Sequence, residues 1–304
     1  MTNKRNYSKI IEQLGKVRVR ENEPMAKQTT FKIGGPADLF YEARTERELI
    51  KAIRLIREMR VPYFILGGGS NILVADKGFR GIVIKIKNEK LKIKNYNSKF
   101  KIIVGAGTPL AKVVQFALER SLSGLEFAVG IPGTVGGAVR GNAGAWRQNI
   151  GDKVSCLKVL TVQGQIKWLE GSDCQFAYRD SCFKKSKEII LEVEFELEKR
   201  NKREVAKKIK EYFEKRRNQP KEPSAGCAFL NPKPDSAGRL IDLCGLRGKQ
   251  IGQAQISSLH ANFIVNLGGA SCQDVLKLIT LAKKEVKNKF GFELQEEIEI
   301  VGEF

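Results

Sequence analysis

Two glycine-rich segments carry the strongest chemical signal in this 304-residue chain. The first is Gly67, Gly68 and Gly69, followed by Ser70 and Asn71. The second runs Gly130, Ile131, Pro132, Gly133, Thr134, Val135, Gly136, Gly137, Ala138, with Asn142 and Gly144 just beyond it. Glycine reaches positive φ without steric cost and lets bare backbone N–H groups come close to an anion. Successive N–H groups in such turns form concave anion sites, and a pyrophosphate is the ligand that suits two such loops in one domain. Each loop taken alone reads equally well as a tight turn. Neither follows the pattern Gly-x-Gly-x-x-Gly of a dinucleotide-binding strand-to-helix turn. Gly105-Ala-Gly107 lacks the third glycine, and no Gly-Lys-Ser/Thr completes a P-loop.

The sulfur and imidazole inventory points away from metals. Cys156, Cys174, Cys182, Cys227, Cys244 and Cys272 include no Cys-x-x-Cys pair, and His260 is the one histidine, so no metal site is expected. The N-terminal Met1-Thr2-Asn3-Lys4-Arg5 leads into no apolar stretch of the kind a secretory signal needs. A cytoplasmic location is therefore expected, without a disulfide framework. Most of the thiols should be small buried hydrophobes.

The elements that must position these loops follow from pattern. Residues 1–28 read as a helix and a lead-in, and 29–43 as two short strands around a Gly-Gly-Pro turn. Thr45 and Glu48 make a capping box, and the helix after it sets Leu49, Ile53 and Ile56 on one stripe. Strands are expected at 61–66, 81–85, 91–94, 101–104, 157–162, 166–169 and 189–197, the last alternating as a half-buried strand should. A helix starts near Thr108-Pro109, and a charged helix over about 201–217 marks a boundary. Beyond it the order is strand, helix, strand, helix, strand. The last helix opens with Ser271-x-x-Asp274 and stops at Gly291, and 293–301 closes the chain as a strand.

The formal net charge of +20 attracts polyanions and anionic substrates without saying which. The densest basic runs, 202–215 and 283–289, are spaced as exposed helix faces and alternate with acids. That pattern suits a solvated surface better than a nucleic-acid interface.

Several stretches taken in order resemble the UDP-N-acetylenolpyruvoylglucosamine reductase (MurB) family of peptidoglycan precursor synthesis. They are Pro62-Tyr-Phe-Ile-Leu-Gly-Gly-Gly-Ser-Asn-Ile-Leu-Val74; Gly130-Ile-Pro-Gly-Thr-Val-Gly-Gly-Ala138 with Asn142-Ala-Gly144; Tyr178-Arg-Asp-Ser181; Pro223-Ser-Ala-Gly-Cys-Ala-Phe-Leu-Asn-Pro232; and Leu294-Gln-Glu-Glu-Ile298 with Val301-Gly302. The resemblance implies an α+β protein: a PCMH-type FAD-binding domain of two α+β subdomains (29–198) after the lead-in helix (1–28), then a C-terminal α+β substrate-binding domain (199–304). It also implies the cofactors, FAD and NADPH, and the reaction, reduction of the enolpyruvyl group of a UDP-sugar to give UDP-N-acetylmuramate. A monomer acting on small molecules, with no nucleic acid and no membrane insertion, is the expected form.

The reaction makes demands that the motifs answer. Hydride addition to one alkene carbon leaves negative charge on the other, which needs a fixed cation or donors and then a proton. By resemblance Arg179 is the catalytic arginine, its planar fork suited to an enolate or carboxylate oxygen. Read without the motif, it would be a surface ion pair with a neighbour such as Asp180. Glu297 matches the family's C-terminal glutamate, with Glu293, Glu296, Glu299 and Glu303 close by. Cys227 stands at the proton-donor position, where serine is common. A thiol with an ordinary pKa of about 8.5 remains mostly protonated at neutral pH and is a far stronger acid than an alcohol. Ser224 is the alternative donor. Asn231 and Tyr178 resemble substrate contacts, and Arg217, with Arg216 and Lys221, approaches the same motif as a phosphate ligand. His260 reads as structural. The short stretch between Arg179 and the charged helix places the chain in the subgroup without an inserted tyrosine-bearing loop. Competing readings are another FAD oxidoreductase of the same fold, or a basic nucleic-acid-binding protein.

Overall fold

The computed structural model describes residues 2–96 and 99–304. The chain forms two compact units, each assembled from three separated segments. The first comprises Met1–Val19, Tyr41–Gly68 and Ile84–Arg217; the second comprises Arg20–Phe40, Gly69–Val83 and Asn218–Phe304. Both units are thus discontinuous, whereas the division read from sequence is contiguous.

The first unit is organised by an antiparallel sheet in the order Ile166–Glu170, Val154–Leu160, Ile189–Lys199, Lys99–Gly105, Leu91–Tyr96, with Leu122–Ser123 pairing the end of Ile189–Lys199. Val193 sits opposite Leu157 on one side and Val104 on the other, and all three are fully buried. The expected alternation along this strand fails in its first half: Ile189 to Val193 are all buried. The helix Val135–Arg140 packs on the strand, so apolar residues are favoured on both faces, and the one charged residue of the run, Glu192, is paired with Lys90.

Thr45 caps the helix Glu46–Glu58, its hydroxyl accepting from the Glu48 N–H at 3.2 Å. The reciprocal half of the expected box is different. Glu48 accepts instead from the Arg44 N–H (2.8 Å) and from the Arg18 guanidinium (2.9 Å), and Arg18 holds its carboxyl below the ordinary value. Leu49, Ile53 and Ile56 form the buried stripe.

In the second unit the sheet runs Ser224–Cys227, Phe263–Asn266, Ala254–Ile256, Gln250–Ile251, all antiparallel. Its core joins Phe31, Leu73, Phe229, Leu240, Ile264, Leu278 and Leu294. The helix Cys272–Phe290 begins with a complete capping box between Ser271 and Asp274 and ends at Gly291 with φ +75°, as its signals demand. Two expected strands are corrected here. The stretch before Pro36 is irregular, leaving one strand, Pro36–Ala43. Residues 293–301 contain only the short strand Glu299–Val301, which pairs in parallel with Ile72–Val74. The preceding residues make a single antiparallel bridge, Glu296 opposite Phe229, with Gln295 accepting from Leu230 and Glu297 donating to Ala228, and then switch partner as Glu299 donates to Asn71, so no ladder develops.

Among the described residues, no helix is long and apolar enough to cross a membrane. The six cysteines are free thiols, and only Cys174 and Cys272 are fully buried, fewer than expected. Burial pushes both of those thiols up to about 12.

Candidate functional site

In the first unit the two glycine motifs meet. A Cβ on Gly67 would lie 2.5 Å from Thr134 Oγ1, and one on Gly68 would lie 2.5 Å from Gly133 Cα. A side chain at Gly68 would run into the Gly133 backbone and force the loops apart, and one at Gly67 would displace the Thr134 hydroxyl. The Thr134 hydroxyl between them is buried and has no hydrogen-bond partner among the described residues. Gly133 has φ +116° and Gly130 φ +74°. This glycine-bared backbone beside an unsatisfied buried oxygen fits a diphosphate-bearing group.

Other members of the motifs serve the fold. The Gly136 N–H donates to Ala106 O (2.8 Å), and a Cβ there would meet Ala106 at 2.9 Å. A Cβ on Gly144 would meet Asn149 and Gln148 at 2.4 Å. The chain passes into the second unit between Gly68 and Gly69. There Gly69 (φ +65°) packs against Gln28 O, which a Cβ would approach to 2.3 Å, and Asn71 Nδ2 donates to Glu297 O (3.0 Å).

Arg179 stands at the tip of a tight turn. Ala177 and Asp180 exchange backbone hydrogen bonds (3.0 and 3.2 Å), with Tyr178 and Arg179 between them. Arg179 has φ +54°, a conformation that costs a non-glycine residue about 1–3 kcal/mol and persists where the surroundings enforce it. The enforcement is visible. Asn142, 3% exposed, donates from Nδ2 to Ala177 O (2.7 Å) and accepts at Oδ1 from Gly151 N (3.0 Å). Ser181 Oγ donates to Arg140 O (2.7 Å), and Lys184 Nζ to Arg179 O (2.6 Å). The end of the second glycine segment therefore holds the arginine turn, and Asn142's amide is committed to that task. Asp180 accepts from the Ser181 N–H (2.9 Å) and lies 3.8 Å from Lys185. Tyr178 is half exposed, with the Arg179 guanidinium carbon 5.4 Å from its ring centre.

Cys227 ends a strand that is interrupted just before it. Ser224 opposes Val265 and Cys227 opposes Phe263, with a register shift between them and Gly226 at φ +78°. Such a bulge re-aims the next side chain. Asn262, 2% exposed, clamps the chain beyond it: the Phe229 N–H donates to its Oδ1 (3.0 Å), its Nδ2 to Phe229 O (2.8 Å), and the Ala228 N–H to its carbonyl (2.7 Å). The Glu297 N–H donates to Ala228 O at 2.9 Å, so Glu297 and Cys227 lie on adjoining strands of chain. Among the neighbouring acids, Glu296 is held by Lys283 (2.9 Å) and Glu293 by Lys287 (2.6 Å). Asn231 Oδ1 accepts from the Ala237 N–H (3.1 Å) at the start of the helix Ala237–Leu243. Arg217 is exposed and paired with Glu214 (2.5 Å). Its neighbour Arg216 instead packs against Gly130, where a Cβ would come 2.8 Å from Arg216 Cδ. Burial holds His260 below its ordinary pKa, and its Nδ1 accepts from the Asn262 N–H (3.3 Å).

Asn262, which sequence reasoning passed over, carried one signal: a polar residue between apolar ones in His260-Ala-Asn-Phe.

An antiparallel sheet unit with two facing glycine motifs defines the class, a flavin-binding protein of the PCMH type; residues 37–170 match the family model described as FAD binding domain. Residues 219–301 match that of the UDP-N-acetylenolpyruvoylglucosamine reductase C-terminal domain. The chain belongs to the UDP-N-acetylenolpyruvoylglucosamine reductase family. It is 44% identical to UDP-N-acetylenolpyruvoylglucosamine reductase 1 of Bacillus anthracis over 94% of this chain and 95% of that one. It is 43% identical to the reductase of Halalkalibacterium halodurans over 96% of each. The crystal structure of the enzyme (MurB) from Thermus caldophilus superposes with a TM-score of 0.80 at 38% identity, covering 93% of this chain and 99% of that one.

Proposed function

We propose that this chain is an FAD-dependent, NADPH-consuming reductase that converts UDP-N-acetylglucosamine enolpyruvate to UDP-N-acetylmuramate. The observation that carries this reading is the meeting of Gly67 and Gly68 with Gly133 and Thr134 in a chain of this family. Those residues, with Gly130 and Gly137, would hold the flavin diphosphate. The bound flavin would supply the hydride that reduces the enolpyruvyl double bond. Arg179, fixed by its turn, offers a planar cation to the enolate oxygen that this addition creates. The Cys227 thiol delivers the proton to the substrate carbanion, and Glu297 orients the substrate carboxylate. Tyr178, Arg217 and Asn231 contact the UDP-sugar. In this reading 29–198 is the flavin domain and 199–304 the substrate domain, of the subgroup without the inserted loop. The protein works in the cytoplasm as a monomer, without nucleic acid.

An anaerobic spectral titration tests the proposal. Purified protein should be yellow, bleach with NADPH, and recolour on adding the enolpyruvyl UDP-sugar. Recolouring only in air would mark an oxidase, and protein that cannot be loaded with FAD would overturn the flavin assignment. Glu297→Gln should retain flavin while losing turnover by orders of magnitude.

A further inference from the structure

Gly144–Ala145 and Gln148–Asn149 pair in a two-residue hairpin, Ala145 opposite Gln148. The turn residues are Trp146 (φ +51°) and Arg147 (φ +62°). Two successive positive φ values are the geometry of the hairpin turn that asparagine and glycine normally fill. Tryptophan and arginine are poor choices there on conformational grounds, and strain of this kind is evidence that something else selects the side chain. The surroundings of Trp146 indicate what.

The indole stacks on Tyr212 of the charged helix Lys202–Glu214, centroids 4.8 Å apart and planes 22° from parallel. The Tyr212 hydroxyl is itself fixed, accepting from Gln148 Nε2 at 2.6 Å. The Arg216 guanidinium carbon lies 4.8 Å from the Trp146 ring centre, and Lys215 Nζ lies 5.2 Å from the Tyr212 ring centre. The other end of this arrangement is the second glycine motif, because Arg216 Cδ lies against Gly130. A guanidinium held on an aromatic face keeps its charge and donors while losing its freedom to swing.

We infer that Trp146 and Tyr212 are positioning residues that hold Arg216 on Gly130, giving the glycine loop a fixed positive charge for a diphosphate. The inference rests on the flavin-reductase reading for the presence of diphosphates. Two sources share that chemistry, the FAD pyrophosphate and the UDP moiety of the substrate. Tyr212 and Trp146 would act through Arg216.

The test is a double-mutant cycle on the full chain, read by FAD affinity (flavin fluorescence on reconstituting the apoprotein) and by KM for the UDP-sugar. Trp146→Ala and Arg216→Ala should each weaken one of these about tenfold, and the double variant should be little worse than either single one. Trp146→Phe, which restores a ring face, should recover most of the loss. The salt dependence of the affected constant should flatten most in Arg216→Ala, which removes the charge, and part of the way in Trp146→Ala, which releases it from the glycine loop. A merely structural tryptophan would not produce that change. Loss in FAD affinity assigns the charge to the flavin diphosphate, and loss confined to KM assigns it to the substrate. Additive effects, or unchanged FAD affinity and KM in Trp146→Ala, would overturn the inference. If Trp146→Ala fails to fold, Tyr212→Leu removes the same support from the helix side and is read identically. Wild-type protein that binds no FAD would defeat the functional reading itself, a result separable from normal binding in every variant.

Discussion

The side-chain amide of Asn142 joins the glycine-rich segment to the turn carrying Arg179, donating to Ala177 O at 2.7 Å while accepting from Gly151 N at 3.0 Å. Asn142→Leu should orphan both partners and destabilise the protein by about 1–3 kcal/mol for each, seen as a lower urea midpoint. Asn142→Asp keeps the acceptor but sets a buried carboxylate oxygen against the Ala177 carbonyl, so it should cost at least as much stability and also lower turnover. Equal turnover in Asn142→Asp and wild type would show that the arginine turn does not depend on this bond.

The left-handed backbone of Arg179 gives a second expectation. Arg179→Gly should be at least as stable as wild type, by up to about 1 kcal/mol, because glycine adopts φ +54° without the steric penalty. It should also be nearly inactive while keeping its flavin. Denaturation and turnover on one preparation check both halves, and retained activity would remove Arg179 from the chemistry.

Cys227 sits behind the bulge at Gly226. Cys227→Ser preserves a proton donor of similar size and should keep turnover within about tenfold. In Cys227→Ala, reduction by NADPH should proceed but reoxidation by the UDP-sugar should stall. Stopped-flow absorbance separates the two half-reactions, and native reoxidation in the alanine variant would exclude the thiol as donor.

The cap of the Cys272–Phe290 helix sets a pH dependence. The Ser271 backbone N–H, donating to Asp274, lowers that carboxyl below its ordinary value. A depressed folded pKa contributes stability above the unfolded value, about 3.9, and loses it as pH falls through the folded one. Asp274→Ala should therefore be less stable by about 1 kcal/mol at pH 7, with the gap closing below about pH 4. Urea midpoints at pH 7 and pH 3 compare the two; an undiminished gap at pH 3 would contradict the assignment.

Where the determinants are local, the sequence was readable. Ser271, Asp274 and Gly291 announce a helix whose ends they cap, and the two glycine motifs announce a bared backbone. Arg179, Cys227 and Glu297 are proposed only because whole motifs resemble a family; nothing in their spacing brings them forward. The strand expected over 293–301 fails because its hydrogen-bond partners lie in different segments, near Ala228 and Asn71, which no periodicity records. Trp146 was invisible for a related reason. Its turn lacks the asparagine and glycine that mark such hairpins, and its partners are more than sixty residues away on another element.

The parallel pairing of Ile72–Val74 with Glu299–Val301 governs how the protein can be made. Register partners such as Leu73 and Ile300 enclose most of the chain between them, so forming this contact carries the loop-closure cost of a very long loop. During synthesis the 20–40 and 69–83 segments emerge long before the residues that complete their unit. Leu73, fully buried in the finished core, cannot complete its pairing until residues 299–301 have been made. Slow maturation, and sensitivity to chaperone supply, are the expected cost of this topology. Removal of the last few residues would act on the whole second unit, although it deletes only one edge strand.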